Sequence, residues 1–293
     1  MNNRANIRAR VRRSLWWAAL SLVAGCAAPT PSAIAPRTAP APAQDPALRL
    51  HGHNDYLQPV PLRRALELGL GSLEADVYPV GDELQVGHER WQLRAGRTLR
   101  SMYLEPLRAE VERRGGALRS DGRPLVLLVD IKTGGAEAWR LLRRELAEFA
   151  PMLTRFVGGR VEPGAITILL SGDRPRALVA ADRDRRCALD GRLSDLDAAT
   201  PPPVDLVPWV SDTWRKVSDW TGSDDLMDDE VVRVRALVQK AHAQGRELRF
   251  WSAPDRVEGW RALFDFGVDH ISTDLPAKAA EFLRENGYGA GNP

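Results

Sequence analysis

A TIM (β/α)8 barrel is the fold class that this sequence predicts, and three observations predict it. About eight short apolar runs alternate with segments of helical period between residues 48 and 288. That span, roughly 240 residues, matches the length such a barrel needs. The clearest run, Leu125–Lys132, reads Leu-Val-Leu-Leu-Val-Asp-Ile-Lys and is apolar on both faces, as a buried parallel strand must be. A doubly wound sheet is the alternative, but it calls for a Gly-rich turn after the first strand, and none is present.

Taken in order, Ala47–His51 reads as a strand and Val60–Leu70 as a helix closing at Gly71. Ser72–Tyr78 is the second strand, and Glu83–His88 is a short extension of it around Gly81-Asp82. Met102–Arg114 has helical period and stops at Gly115-Gly116, where glycine ends a helix cheaply. After the Leu125–Lys132 strand come a helix over Ala136–Phe149, a strand over Ala165–Ser171 and a helix over Arg174–Ala181. Cys187–Asp190 and Leu206–Val210 are weaker strand signals. Asp228–Gln244 is a strong helix, opened by acidic residues that suit its dipole and ended by Gly245. The strand Glu247–Ser252, the helix Pro254–Phe266, the strand Val268–Thr273 and the helix Ala277–Asn286 complete the barrel.

The chain has 293 residues, 44% hydrophobic and 27% charged, which is a globular composition. Its 2 Cys exclude a disulfide scaffold or a thiolate zinc cluster. The net charge of +2 conceals an asymmetry: Arg4, Arg8, Arg10, Arg12 and Arg13 fall in the first 25 residues, where there is no acid. Without that segment 36 basic groups face 39 acidic ones, so the charge gives no support to nucleic-acid binding.

Residues 1–25 read as a signal peptide, with an Arg-rich start and an apolar run over Leu15–Gly25 that is too short to span a bilayer. Val23-Ala24-Gly25-Cys26 resembles a bacterial lipobox, which implies lipidation of Cys26 and attachment to a membrane, in a bacterial envelope and at the periplasmic face of the outer membrane. Residues 27–47 hold 6 Pro and 8 Ala, so the stretch 26–47 is expected to be an extended tether. The barrel is expected over 48–288, with a short tail at 289–293.

In such a barrel, chemistry sits at the C-terminal ends of the strands. The first strand ends in His51-Gly52-His53-Asn54-Asp55-Tyr56, the second carries Glu74-Ala75-Asp76, its extension ends at His88, and the third carries Asp130-Ile131-Lys132. Three of the five histidines thus fall between positions 51 and 88, all at strand ends. Glu74 and Asp76 lie two apart on a strand, so their carboxylates share a face. Like charges there repel unless a cation or a proton lies between them. With Asp130 they offer three hard oxygen ligands, a set for Mg²⁺ or Ca²⁺ rather than zinc; the competing reading pairs Glu74 with Lys132 as a structural ion pair. Two histidines on different strands can act as base and acid around a phosphate ester, and Lys132 adds a positive charge for its oxygens. Trp251, at the end of the seventh strand, reads either as core or as a wall against the substrate.

The segments His51-Gly-His-Asn-Asp-Tyr, Leu73-Glu-Ala-Asp-Val-Tyr, Val86-Gly-His88 and Val129-Asp-Ile-Lys resemble the phosphatidylinositol-specific phospholipase C and glycerophosphodiester phosphodiesterase superfamily. The His-Asn-Asp-Tyr form is most similar to its branch that includes altered inheritance of mitochondria protein 6. Arg249-Phe-Trp-Ser-Ala-Pro-Asp and Gly267-Val-Asp-His-Ile-Ser-Thr-Asp-Leu-Pro are similar to the last two strands of that family. The likeness implies a metal-dependent phosphodiesterase acting on a glycerophosphodiester or lipid head group. It also implies His53, rather than His51, as the partner of His88, with His53 serving as base and His88 as acid. The Pro-Glu-Asn motif, which supplies a further metal ligand in the phosphodiesterases, is absent, and Glu89 follows His88 where Asp is usual. Two other readings compete. A His-x-His amidohydrolase fits His51 and His53, with Asp274 on the last strand as its base, but lacks histidines on the fifth and sixth strands, and a non-catalytic ligand-binding lipoprotein does not require the five site residues Glu74, Asp76, Asp130, His53 and His88.

Overall fold

The computed structural model describes residues 44–289. Within them eight parallel strands close into a barrel: β1 (Leu50–Gly52), β2 (Ser72–Val80), β3 (Leu125–Ile131), β4 (Ile166–Gly172), β5 (Cys187–Gly191), β6 (Trp209–Thr213), β7 (Glu247–Trp251) and β8 (His270–Thr273). Closure is made at β1, which pairs with β8 through Leu50↔Ile271 and with β2 through His51↔Ser72. One helix follows each strand: α1 (Arg63–Leu68), α2 (Glu105–Arg114), α3 (Gly135–Glu148), α4 (Arg176–Ala181), α5 (Leu193–Leu196), α6 (Asp228–Ala243), α7 (Val257–Phe266) and α8 (Pro276–Glu285). The fold class and the alternation read from the sequence are those observed. Residues 1–43, which include Cys26 and most of the expected tether, lie outside the described residues. The tether's expected end at Ala47 is instead part of the folded unit, since Pro46 and Ala47 are buried in a 3-10 turn. Among the described residues no helix is long and apolar enough to cross a membrane.

Local chemistry explains where the elements depart from expectation. Asp45 accepts a hydrogen bond from the Ala47 amide and Pro46 presets its φ, so Pro46–Arg49 coils into a 3-10 turn and β1 begins only at Leu50. Glu83–Val86 extends β2 as a hairpin, running back antiparallel with Val77 opposite Val86. The helix expected from Met102 starts earlier, as a wide π turn over Arg100–Leu104 that runs into α2. The sixth strand starts at Trp209 rather than Leu206, because the Leu206 and Val207 amides turn back onto the Pro203 carbonyl and Pro208 has no amide to give a ladder.

A small antiparallel sheet (Arg155–Val157, Arg160–Glu162 and Asp184–Arg185) was not expected. Its short, charged strands carry little periodic signal, although Gly158-Gly159, both at positive φ, form the kind of two-residue turn that marks a hairpin. Phe156 on this sheet packs with Val126, Leu128, Leu169, Ala188 and Trp209, an apolar cluster apart from the main core. Around the barrel, β3 is buried along nearly its whole length, as its apolar run requires.

Candidate active site

Period-two alternation puts His51, Ser72, Glu74 and Asp76 in one connected set of buried groups. His51 is fully buried, with Nδ1 2.9 Å from the Ser72 hydroxyl and Nε2 3.0 Å from Glu74 Oε2. Burial, followed by the nearby Arg249 charge, pushes its pKa down to about 3, so the ring is neutral at physiological pH. Arg249 completes the group: its Nη2 donates to the same Glu74 oxygen at 2.9 Å and its Nε donates to the Ser272 hydroxyl at 2.8 Å. Although burial opposes ionisation, Arg249 and His51 hold the Glu74 carboxyl well below the usual carboxylate range.

Asp76 is also fully buried. Its Oδ2 accepts from the Tyr56 hydroxyl at 2.7 Å, from His88 Nδ1 at 2.8 Å and from Lys132 Nζ at 2.8 Å. Its Oδ1 is buried and has no hydrogen-bond partner. Desolvation, and then the Glu74 charge, raise the Asp76 pKa above its ordinary value. Asp130 is register-paired with Asp76 across β2 and β3 and takes Lys132 Nζ on its own Oδ2 at 2.8 Å. Burial works against the Lys132 cation, but Asp130 and Asp76 outweigh it and hold the ammonium charged. Lys132 therefore bridges Asp76 and Asp130 and does not pair with Glu74, whose ion-pair partner is Arg249 and whose hydrogen-bond partner is the neutral His51. Gly172, at φ +66, keeps the neighbouring strand clear: a Cβ there would lie 2.6 Å from Asp130 Oδ1 and 2.3 Å from the Ile131 carbonyl oxygen.

Ligand atoms of Glu74, Asp76 and Asp130 lie within 4.8 Å of one another. Among the described residues, the protein contacts of these carboxylates fall on Glu74 Oε2, Asp76 Oδ2 and Asp130 Oδ2, and the buried Asp76 Oδ1 is orphaned. A buried carboxylate oxygen without a partner is costly. One free oxygen on each of three converging carboxylates fits a hard divalent cation.

His53 and His88 stand at the open end. His53 Nδ1 is 2.8 Å from Asp274 Oδ1, and its side chain is 33% exposed. Burial disfavours the charged ring, but the Asp274 hydrogen bond and the Glu74 charge outweigh it and raise the His53 pKa above its ordinary value. His88 presents a 48% exposed ring tied to Asp76 through Nδ1. Each of these rings is thus oriented by a carboxylate at Nδ1, which directs Nε2 away from that anchor. Trp251 is 37% exposed at the end of β7, so it is not core. Of the remaining histidines, His242 on α6 meets Asp269, whereas His270, at the start of β8, meets Glu247 and lies with Nδ1 3.2 Å from the Ser72 hydroxyl that His51 also uses. Sequence reasoning gave no role to Arg249 or Tyr56 and weighed Asp274 only as an amidohydrolase base. An arginine flanked by buried apolar residues in β7 is the signal that marks Arg249.

Replacing Arg249 with Met should leave the Glu74 charge buried without its main partner. The expected loss is about 3–5 kcal/mol of stability, measured by denaturant unfolding. A loss under about 1 kcal/mol would mean that Arg249 does not neutralise Glu74.

Residues 44–190 match the AIM6-like phosphodiesterase domain. An altered inheritance of mitochondria protein 6 homolog from Arthroderma benhamiae is 30% identical, over 77% of this chain and 80% of that protein. Altered inheritance of mitochondria protein 6 from Eremothecium gossypii is 28% identical, over 77% and 67%. The crystal structure of a glycerophosphodiester phosphodiesterase from Parabacteroides distasonis superposes with a TM-score of 0.51 at 14% identity, over 81% of this chain and 97% of that one, a likeness of fold. The relatives from Arthroderma, Eremothecium and Saccharomyces are fungal proteins, which corrects the expected location: they point away from a bacterial envelope lipoprotein. The lipobox-like tetrapeptide misled because a small apolar triplet before a cysteine is a short pattern that arises readily in an apolar, alanine-rich stretch.

Proposed function

This chain belongs to the AIM6-like phosphodiesterase domain family, and from that premise we propose that it hydrolyses a glycerophosphodiester or a phospholipid-type head group with the help of a divalent cation. The observation that carries this reading is the orphaned Asp76 Oδ1, set among three converging carboxylates beside two carboxylate-oriented histidines. Residues 48–288 form the proposed catalytic domain.

Glu74, Asp76 and Asp130 would hold the cation, Mg²⁺ or Ca²⁺. When bound, it supplies charge that binds the phosphoryl oxygens and offsets the negative charge of the transition state. The chain's own groups do the rest. Against the effect of burial, Asp274 holds His53 through Nδ1 and favours its protonated form, which suits His53 to give a proton to the leaving oxygen. This reverses the order read from the sequence, base first and acid second. His88, held by Asp76, accepts the proton of the attacking water or substrate hydroxyl. Lys132 offsets the acid cluster and reaches phosphoryl oxygens from its edge, and Trp251 walls the mouth. His51 supports the site without touching substrate: buried and neutral, it fixes Glu74.

The test is hydrolysis of a panel of glycerophosphodiesters and phospholipids by the purified chain, with and without EDTA. Hydrolysis that EDTA abolishes and Mg²⁺ or Ca²⁺ restores is the expected result. Turnover that is indifferent to EDTA would remove the cation, and no turnover on any diester would remove the activity. His51 has a separate signature. By NMR its imidazole should stay neutral from pH 8 to pH 5, because its pKa lies near 3. The same depression makes stability depend on acid. An unfolded histidine takes up a proton near pH 6.5 and the native ring does not, so stability is lost as pH falls from about 6.5 toward 3. The lowered Glu74 pKa acts in the same direction at the acid end. A melting temperature that stays flat between pH 6.5 and pH 4 would contradict this.

A further inference from the structure

We propose that the barrel mouth holds a second anion subsite, built by Arg174 and Arg192, and that the preferred substrate is a phosphodiester whose alcohol carries a further negative charge. This rests on the phosphodiesterase reading above and narrows its substrate class.

The two arginines follow the C-terminal ends of neighbouring strands, β4 and β5. Arg192 Nη1 donates to Asp190 Oδ2 at 2.7 Å, and its Nη2 lies 3.4 Å from the Ser171 hydroxyl. Asp190 is fully buried and also takes the hydroxyls of Ser171 and Ser211 at 2.7–2.8 Å. Ser171 is register-paired with Asp130, so the Arg192 guanidinium sits beside the proposed cation site rather than on the outer surface.

Arg174 is held by the same loop. The Asp173 amide donates to the Ile131 carbonyl at 2.7 Å, and Asp173 Oδ2 accepts from the Gly135 amide at 2.9 Å. Arg174 Nη1 donates to the Gly172 carbonyl at 3.1 Å, while its Nε is buried without any partner. Among the described residues no carboxylate forms an ion pair with Arg174, whereas Arg176 nearby is matched by Asp195 through two bonds of 2.8 and 3.0 Å. Burial, followed by the Arg192 charge, lowers the Arg174 pKa, which is the sign of a cation short of counter-charge.

Of two neighbouring guanidinium groups, therefore, only Arg192 has a bonded carboxylate, and both stand near a cluster that is itself strongly acidic. Arginine is the side chain suited to planar, two-point recognition of phosphate or carboxylate. Adjacent strands lie about 4.8 Å apart, so two steps from β3 to β5 put this subsite on the order of 10 Å from the acid cluster. A polyol carrying a phosphomonoester spans that distance from a diester phosphorus. An anion there supplies the missing partner of Arg174 and leaves the diester at the histidines.

The test compares glycerophosphocholine, glycerophosphoglycerol and glycerophosphoinositol 4-phosphate, whose alcohols are cationic, neutral and anionic. The expected wild-type order of kcat/KM places the phosphorylated diester first. Arg174→Gln should lower its preference over glycerophosphoglycerol by about 10-fold or more, the scale of a lost charge-assisted bond, and chiefly through KM. Arg192→Lys keeps a charge on Asp190, which protects the fold, and should lower the same ratio. Calorimetric binding of glycerophosphoinositol 4-phosphate to wild type and Arg174→Gln reads the subsite without turnover. If wild type shows no preference, or Arg174→Gln keeps both the preference and the affinity, the subsite is overturned and the phosphodiesterase reading stands. If none of the three diesters is cleaved but Arg174→Gln still weakens binding, the subsite stands and the reaction is the part that fails.

Discussion

His53→Asn should lower kcat by about 10²–10⁴-fold, the range for losing a positioned proton-transfer group. The structure sharpens this expectation. His53 is anchored by Asp274 at Nδ1 and half-open to solvent, so its removal takes away a group with a proton to give and little that holds the fold together. His88→Asn should match it in size, since His88 is the other ring at the mouth and is anchored by Asp76. The double variant should fall far short of the product of the two, because both groups act in one transition state. His51→Asn is expected to behave differently. It breaks the bridge between Ser72 and Glu74, so it should cost stability first and turnover second. Single-turnover kinetics and unfolding curves on the same three variants separate these outcomes. A His53 variant with near-wild-type turnover, beside a stable but inactive His51 variant, would exchange their roles.

Much of this site was legible in the sequence because a strand alternates strictly. Glu74 and Asp76 two residues apart had to share a face, and the all-apolar run of β3 identified a buried strand and so placed Asp130 at its C-terminal end. The same rule could not separate His51 from His53. Both lie at odd positions of one segment, but β1 ends at Gly52, so the first ring is sealed in the barrel and the second emerges at the mouth. Long-range closure was beyond reach. Arg249 meets Glu74 across 175 residues of chain, and only the completed barrel brings them together. Tyr56 reaches Asp76 after Asn54 turns the chain through positive φ, a local bend that side-chain patterning does not encode. The small sheet around Phe156 escaped for another reason: its strands are two or three residues long and mostly charged, so burial of a single aromatic decides their place.

Asp76→Asn is the second large effect, and it isolates the cation from the fold. The change is nearly isosteric, and burial, followed by the Glu74 charge, already raises the Asp76 pKa and so disfavours its carboxylate form. Without added metal, the variant should therefore melt at or above the wild-type temperature, because removing one of two repelling buried charges relieves that strain. Tyr56 can still donate to the amide oxygen, and Lys132 keeps Asp130. With metal the order should invert. One of three carboxylate ligands is gone, so affinity for Mg²⁺ or Ca²⁺ should fall by about 10²-fold or more, beyond the 10–100-fold typical of losing only a supporting contact. The metal-dependent rise in melting temperature should shrink with it, since a ligand stabilises with the logarithm of the ratio of its concentration to Kd. Calorimetry and thermal melts with and without each cation measure both effects. Unchanged affinity would put the cation elsewhere. A variant that melts well below wild type in EDTA would mean that Asp76 serves the fold, as the hub of Tyr56, His88 and Lys132, before it serves a metal.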